Sequence, residues 1–112
     1  MQKAVLLIGL SALSAVCAAE EPINLRTNSK SQYFLLVKGG TVAKPTMVVK
    51  RLSSGGTSFT KRAFDCEART AMHLGSGETL AAMEKAKPDP GMEPLTPNSI
   101  THQLWQMACG KQ

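Results

Sequence analysis

The sequence predicts an α+β fold, an antiparallel β-sheet meander with a C-terminal α-helix packed on one face and stapled by one disulfide. Short apolar runs rich in β-branched residues alternate with glycine-containing turns over residues 33–74, which is typical of sequential antiparallel strands. Residues 97–111 carry a helical pattern instead. One cysteine lies in the last strand-like run and another in the helical segment, so a single bridge would join sheet and helix.

The first 19 residues, MQKAVLLIGLSALSAVCAA, have the organisation of a signal peptide. Lys3 supplies the positive charge, residues 4–13 the apolar core, and the small residues before Glu20 a cleavage site. We therefore expect an exported protein, periplasmic or secreted. The 112 residues leave room for one domain, which we place at residues 33–112.

Cys17 offers an alternative interpretation of the same segment, because a lipoprotein would carry its acyl chain on such a cysteine. The lipoprotein pattern usually has Leu three residues earlier and a small residue directly before, whereas this chain has Ser14 and Val16. Ordinary cleavage is therefore favoured over a cell-surface lipoprotein. Membrane association is expected only if Cys17 is lipidated.

The chain between the signal peptide and the domain, residues 20–32, is polar and interrupted by a proline. This composition predicts a flexible N-terminal segment with at most a short strand over residues 23–25. The first strand of the domain is predicted over residues 33–38, YFLLVK, and the second over residues 46–52, TMVVKRL. Glycine-containing turns follow both strands.

Residues 58–74, SFTKRAFDCEARTAMHL, show the clearest alternation in the chain and predict one long strand. At about 3.3 Å per residue it would span roughly 56 Å, so we expect a bend or bulge around residues 61–63. One face is expected to be buried and the other wet. The buried positions are Phe64, Cys66, Ala68, Thr70, Met72 and Leu74, and the wet positions are Asp65, Glu67, Arg69 and His73.

Residues 79–87, TLAAMEKAK, fit two structures. Leu80 and Met83 have helical spacing, and the alanines and lysines favour a short helix, with another hairpin strand as the alternative. Residues 88–97 hold four of the six prolines, which predicts an extended connection over the surface rather than a regular element.

Residues 97–111, PNSITHQLWQMACGK, predict the C-terminal helix, with Thr96, Asn98 or Ser99 as the N-cap and a glycine placed to end it. Trp105 lies beside the apolar stripe, so we expect it to cover the edge of the core and to donate its indole N–H to a partner. The stripe comprises Ile100, Leu104, Met107 and Ala108.

Cys66 and Cys109 are the cysteines that remain once the signal peptide is removed. In an exported chain we expect them to form a disulfide that closes a loop of about 44 residues and contributes on the order of 4 kcal/mol. Cys109 falls about 155° from Ile100 and Leu104 on an ideal helical wheel, so the final turn is expected to unwind. A redox or metal-binding role is the alternative, but it lacks a CxxC spacing or a nearby second ligand.

His73 and His102 are the two imidazoles of the chain, and neither belongs to an HExxH pair or a serine-nucleophile turn. We therefore expect no enzymatic activity, no cofactor and no metal. The net charge of +5, which becomes +4 when Lys3 is removed with the signal peptide, favours acidic surfaces, sulfated glycans or anionic lipid headgroups as partners. The basic residues are scattered, so nucleic-acid binding is not expected. The candidate binding surface is the predicted polar sheet face, with a merely solvated face as the alternative. Its residues are Lys50, Arg62, Asp65, Glu67 and Arg69.

A DC-x-x-R motif on a strand precedes a proline-broken connection and a P-x-S-I motif that opens a helix ending in cysteine. Its positions here are Asp65, Cys66, Arg69, Pro97, Ser99, Ile100 and Cys109. This combination, over about residues 33–111, resembles the surface-adhesin E family of exported bacterial proteins. The resemblance implies an antiparallel sheet with a packed C-terminal helix and a strand-to-helix disulfide. It also implies, from the family's best-known adhesin, homodimerisation and binding of vitronectin, laminin and plasminogen.

These observations together predict an exported, non-catalytic protein that binds a protein partner, in particular a host matrix or plasma protein. An alternative is a periplasmic inhibitor or immunity-type protein that inserts residues 75–79 or 88–97 into an enzyme. A further alternative is a hydrolase whose site carries no recognised motif.

Overall fold

The computed structural model describes residues 20–110, which form a six-stranded antiparallel sheet and two helices. Neighbouring strands follow one another along the chain, and the predicted α+β meander with a C-terminal helix and one disulfide is confirmed. The predicted signal peptide and Cys17 lie outside the described residues. The elements are β1 (Glu21–Ile23), β2 (Gln32–Gly40), β3 (Pro45–Ser53), β4 (Gly56–Asp65), β5 (Thr70–Gly77), α1 (Leu80–Lys85), β6 (Glu93–Pro94) and α2 (Ile100–Cys109).

Strands β2 and β3 form a long hairpin that contains the first two predicted strands. Leu35 pairs with Val49 but Val37 pairs with Val48, so β2 carries one extra residue between them. The extra residue shifts the side-chain alternation of β2 at that point. Gly40 ends β2 with a φ of 76°, a left-handed conformation that favours glycine.

The predicted long third strand is wrong, because the chain reverses between Asp65 and Thr70 and forms the β4–β5 hairpin. One Asp65 carboxylate oxygen accepts hydrogen bonds from the amides of Glu67 and Ala68, at 3.1 and 2.9 Å. Arg69 completes the reversal with a φ of 57°. The alternation expected beyond Asp65 therefore does not describe one strand, and the inner and outer faces have to be assigned separately on β4 and β5.

The irregularity predicted near residues 61–63 occurs in the pairing of β4 with β5, where the register shifts between Lys61 and Arg62. The extra residue is Leu74 of β5, since β4 pairs with β3 without any shift. Strand β4 therefore keeps its regular alternation along its whole length.

Helix α2 begins at the last of the three predicted N-caps. The Ser99 hydroxyl accepts a hydrogen bond from the amide of His102 at 3.0 Å. At the other end Gly110 adopts a φ of 65° and donates its N–H to the carbonyl of Gln106. Both ends of the helix thus satisfy backbone groups that a helix leaves unpaired.

Helix α2 packs on one face of the sheet, which we call the helix face. Leu104 and Trp105 are fully buried there, whereas Met107 is 43% exposed. The prediction that Trp105 covers the edge of the core is therefore wrong, because the side chain lies inside the core. The predicted indole hydrogen bond is present: the N–H of Trp105 donates to the carbonyl of Asp65 at 3.0 Å. The core on the helix face consists of Ile23, Tyr33, Met47, Val49, Phe64, Ala71, Leu104 and Trp105.

The predicted unwinding at Cys109 does not occur, because α2 is helical to that residue. The buried stripe is rotated towards Trp105, and residues four apart lie on the same side of a helix. Cys109 therefore faces the end of the sheet, where Cys66 lies in the turn after β4 instead of inside a strand.

The segment predicted to be a flexible leader, residues 20–32, is attached to the domain at two points. Strand β1 lies slightly earlier than the predicted short strand and pairs with β2. Beyond it, the buried amide of Gln103 in α2 accepts from the N–H of Arg26 at 2.7 Å and donates to its carbonyl at 2.8 Å.

Residues 79–87 contain helix α1, as the favoured of the two predicted structures required. The helix packs on β5 at the face of the sheet opposite to α2. Thr79 caps it by accepting from the amide of Ala82 at 3.0 Å. The contact is close, because a Cβ at Gly77 would lie 2.6 Å from the Ala82 Cβ and one at Gly75 would collide with the Met83 carbonyl. We call this the far face, and it includes Phe34, Val48, Lys50, Phe59 and Lys61.

Residues 88–97 run over the surface, as predicted, although two of them form β6 and pair with β5. The amide of Asp89 also donates to the carbonyl of His73 at 2.9 Å. Leu95 packs against the core. This connection is therefore exposed but attached at several points.

Candidate functional site

The DC-x-x-R motif forms a structural corner at one end of the sheet. The N–H of Cys66 donates to the carbonyl of Ala43 at 3.1 Å, and Cys66 is disulfide-bonded to Cys109 with a Cα separation of 5.6 Å. The guanidinium of Arg69 lies over the ring of Trp105. These contacts tie the β2–β3 loop, the β4–β5 turn and the end of α2 to one another.

The five residues of the predicted polar surface are not brought together. Lys50 lies on the far face, whereas Arg62 lies on the helix face, because it alternates with Phe64 of the core along β4. Asp65, Glu67 and Arg69 belong to the corner. The predicted single face assumed one continuous strand, and the chain reversal removes that assumption. Binding by these residues stays a prediction.

A cleft on the helix face lies beside the start of α2. Most of the residues that line it are polar. Its volume is about 340 Å³, within the range of roughly 300–1,000 Å³ typical of small-molecule sites. We call it the arginine cleft. It is lined by Thr27, Ser29, Tyr33, Val49, Arg51, Ser58, Thr60, Arg62, Ile100 and Leu104.

The register of the sheet explains how these side chains meet. Tyr33 lies opposite Arg51, which lies opposite Ser58, while Val49 lies opposite Thr60. Directly paired residues share a face, so all of these side chains project from the floor of the cleft. The start of α2 forms one wall, and the N-terminal segment that Gln103 holds against α2 contributes the other.

Arg62 is the most unusual group in the cleft. Its burial lowers the pKa of the guanidinium, and the nearby Tyr33 acts in the opposite direction. Within residues 20–110, no carboxylate pairs with Arg62 and no hydrogen bond satisfies its guanidinium. Arg51, by contrast, donates from Nε to the Ser31 hydroxyl at 3.0 Å.

The sequence contained little that could identify this cleft. Arg62 had been assigned to a wet sheet face, and Arg51 was simply one of several scattered basic residues. Only the pairing of β2, β3 and β4 places them with Tyr33, and only the return of the N-terminal segment closes the cleft.

The far face carries a row of aromatic and charged side chains. Phe34, Lys50 and Phe59 lie directly opposite one another on β2, β3 and β4. The ammonium of Lys50 lies 5.4 Å from the centroid of the Phe34 ring and pairs with Glu20 at 2.7 Å. Both phenylalanines are half-buried, and Val37 beyond them is 55% exposed.

The histidines do not form a shared site. His102 accepts from the amide of Asn98 through Nδ1 at 3.0 Å, which is a capping contact at the start of α2. His73 lies with Asp89 and Glu93 in a shallow groove of about 270 Å³. In the part of the chain that the structure describes, no three His, Cys, Asp or Glu side chains are arranged to hold a metal ion.

Neither α1 nor α2 has the length and apolar character that crossing a membrane requires. None of the protein-family models, curated proteins or solved structures compared with this chain matches it. The resemblance to the surface-adhesin E family therefore rests on the short motifs alone.

Proposed function

We propose that this chain is an exported, non-catalytic binding protein whose partner is another protein. The observation that carries the proposal is the Phe34–Lys50–Phe59 row on the far face. Aromatic side chains are enriched at the centre of protein interfaces, and both phenylalanines of the row are half-buried. Helix α1 covers the β5 side of this face, and the row lies on the β2–β4 side.

The partner surface that fits this row has an apolar centre and acidic groups around it. Lys50 and Lys61 each pair with a single glutamate, Glu20 and Glu84, and the second pair is long at 3.8 Å. The long Lys61–Glu84 pair is the more exposed of the two and contributes little on its own, so Lys61 is the cation that exchanges most readily with a partner's carboxylate. The net charge, +5 for the full chain and +4 without Lys3 of the expected signal peptide, also attracts an acidic surface.

The specific partners that we propose are the host proteins implied by the motif resemblance, namely vitronectin, laminin and plasminogen. The same resemblance implies a homodimer, and a second copy docked on the far face would give a similar row of contacts. Two measurements distinguish dimerisation from host binding. The molar mass of the protein in solution reports a dimer, and a binding assay reports the host protein.

An enzyme inhibitor remains the second candidate, and one observation favours it. Residues 88–97 are largely exposed while β6 and the Asp89 amide attach them to β5, so they present a preformed loop. The other predicted loop, residues 75–79, does not favour inhibition, because Gly75 is buried against α1.

The decisive experiment immobilises the purified protein and measures binding of vitronectin, laminin and plasminogen. Replacing both aromatics of the row, Phe34→Thr with Phe59→Thr, should weaken binding at least tenfold, because threonine keeps strand propensity but removes the aromatic area. The matched control is Met107→Thr, which removes an exposed apolar side chain from α2. Capture of a bacterial hydrolase without any host protein would instead support the inhibitor.

A further inference from the structure

The acidic residues are distributed unevenly along this chain, although the basic residues are scattered. Residues 22–64, which include β2, β3 and nearly all of β4, contain eight basic residues and no acidic one. Residues 65–110 contain six acidic residues and three basic ones. Because β2, β3 and β4 are neighbours in the sheet, this half of the domain is positively charged.

Two cations of the positive half are neutralised, and both lie on the far face. Lys50 pairs with Glu20, and Lys61 pairs with Glu84. These are the ion pairs that form within residues 20–110. The cations of the helix face therefore keep their charge for another partner.

Three grooves adjoin one another on the helix face, along the N-terminal segment and α2. The arginine cleft shares Thr27 and Ile100 with a groove of about 640 Å³, which shares Arg26 with a further groove of about 540 Å³. We call the three together the basic groove. Its lining contains Arg26, Arg51 and Arg62 and no acidic side chain. A continuous depression with several arginines suits a linear polyanion better than a single small ion.

The side chains between the arginines suit a sugar. Amides and hydroxyls both donate and accept hydrogen bonds, as sugar hydroxyls require, and the planar guanidinium matches the oxygens of a sulfate group. The exposed amides and hydroxyls of the lining are Asn24, Thr27, Asn28, Ser29 and Asn98. Single-stranded nucleic acids, by contrast, bind by stacking their bases on aromatic side chains. The aromatic residue of this lining is Tyr33, which is only 7% exposed.

From these observations we propose that the basic groove binds a sulfated glycan, with sulfate groups on its arginines and sugar hydroxyls on the polar side chains between them. Arg26 and Arg51 are its exposed cations. Arg62 stands at its boundary, because it also lines the groove that contains Asp89 and Glu93. The site lies on the helix face and does not rest on protein binding by the row on the far face.

Calorimetric titration of the intact protein with a heparin octasaccharide tests the proposal. We expect saturable binding that weakens as salt is added, because mobile ions screen exposed charges. Desulfated heparin of the same length should bind at least tenfold more weakly, since it lacks the groups that the arginines recognise. A single-stranded DNA octanucleotide should also be at least tenfold weaker. Desulfated heparin, the octanucleotide or phosphatidylglycerol vesicles binding as tightly as heparin would overturn the proposal.

Two double variants that remove the same charge distinguish the basic groove from general electrostatic attraction. Arg26→Gln with Arg51→Gln should weaken heparin binding at least tenfold, because both cations line the groove. Lys50→Gln with Lys61→Gln removes as much charge from the far face and should weaken binding by less than about threefold. Equal losses in the two double variants would refute the groove as the site.

The groove variant is expected to fold. Gln103 holds Arg26 through its backbone, which the substitution keeps, and the side chain of Arg51 contacts only the Ser31 hydroxyl among the described residues. Its far-ultraviolet circular dichroism should match that of the parent protein. If it does not, Arg26→Gln alone, compared with Lys50→Gln alone, decides by the same criterion of unequal loss.

Discussion

The guanidinium carbon of Arg69 lies 4.6 Å from the ring centroid of Trp105. The indole N–H of Trp105 in turn donates to the carbonyl of Asp65, four residues before Arg69. The aromatic ring is thus held by the same turn at its edge and at its face. Together with the adjacent disulfide from Cys66, these contacts show that the DC-x-x-R motif attaches α2 to the sheet.

Arg69 combines a favourable side-chain contact with an unfavourable backbone conformation, and two substitutions separate them. Arg69→Ala loses the cation–π contact and keeps a φ of 57°, so it should lower the free energy of unfolding by about 0.5–1 kcal/mol, the range for an exposed cation. Arg69→Gly loses the same contact but relieves the left-handed backbone, and should be about 1 kcal/mol more stable than the alanine variant. Urea unfolding followed by the fluorescence of Trp105, the single tryptophan, measures both. A glycine variant less stable than the alanine variant would show that the backbone is not strained.

The Cys66–Cys109 disulfide spans 43 residues of sequence and restricts the unfolded chain accordingly. Replacing both cysteines by serine should lower the free energy of unfolding by about 2–4 kcal/mol, with about 4 kcal/mol as the chain-entropy limit. Denaturant unfolding of the parent protein with and without reductant, compared with the double variant, measures the effect. If the reduced parent and the double variant differ by more than about 1 kcal/mol, the serine hydroxyls rather than the lost bridge dominate.

Much of the fold could be predicted because it is encoded locally. The apolar runs of β2 and β3, the serine cap and terminal glycine of α2, and the cysteine pair each have a physical signature in a few residues. The β4–β5 turn was missed because its apolar and polar residues continue the alternation of the strands through the reversal. Asp65 carried the relevant signal, since an aspartate can accept hydrogen bonds from the amides that follow it in a turn.

The arginine cleft could not be predicted in the same way, because it depends on contacts between distant segments. Arg51 and Arg62 come to line the same cleft only through the β3–β4 register, and Tyr33 joins them through β2. The wall of the cleft requires Gln103 to hold Arg26, an amide contact across 77 residues of sequence. Nothing in the local sequence of either residue indicates that pairing.

The close contact between β5 and α1 leads to a third prediction. A side chain at Gly75 would collide with the Met83 carbonyl, so Gly75→Ala should lower the free energy of unfolding by about 1–3 kcal/mol. Gly91→Ala is the matched control, because no atom lies within 4 Å of a Cβ at that position. Thermal unfolding of both variants measures the difference. Equal melting temperatures for the two variants would show that α1 is able to move away from β5 without loss of stability.

Arg62→Met leads to the last prediction, which concerns stability rather than binding. Methionine has a similar length and packs against Val49 and Leu104 without the desolvation penalty of an unpaired cation, so the free energy of unfolding should rise by about 1–2 kcal/mol. In a domain of this size such a gain raises the melting temperature by several degrees. Arg51→Met is the control, since Arg51 is exposed and should change stability by less than about 0.5 kcal/mol. A lower melting temperature for Arg62→Met would mean that the guanidinium stabilises the fold.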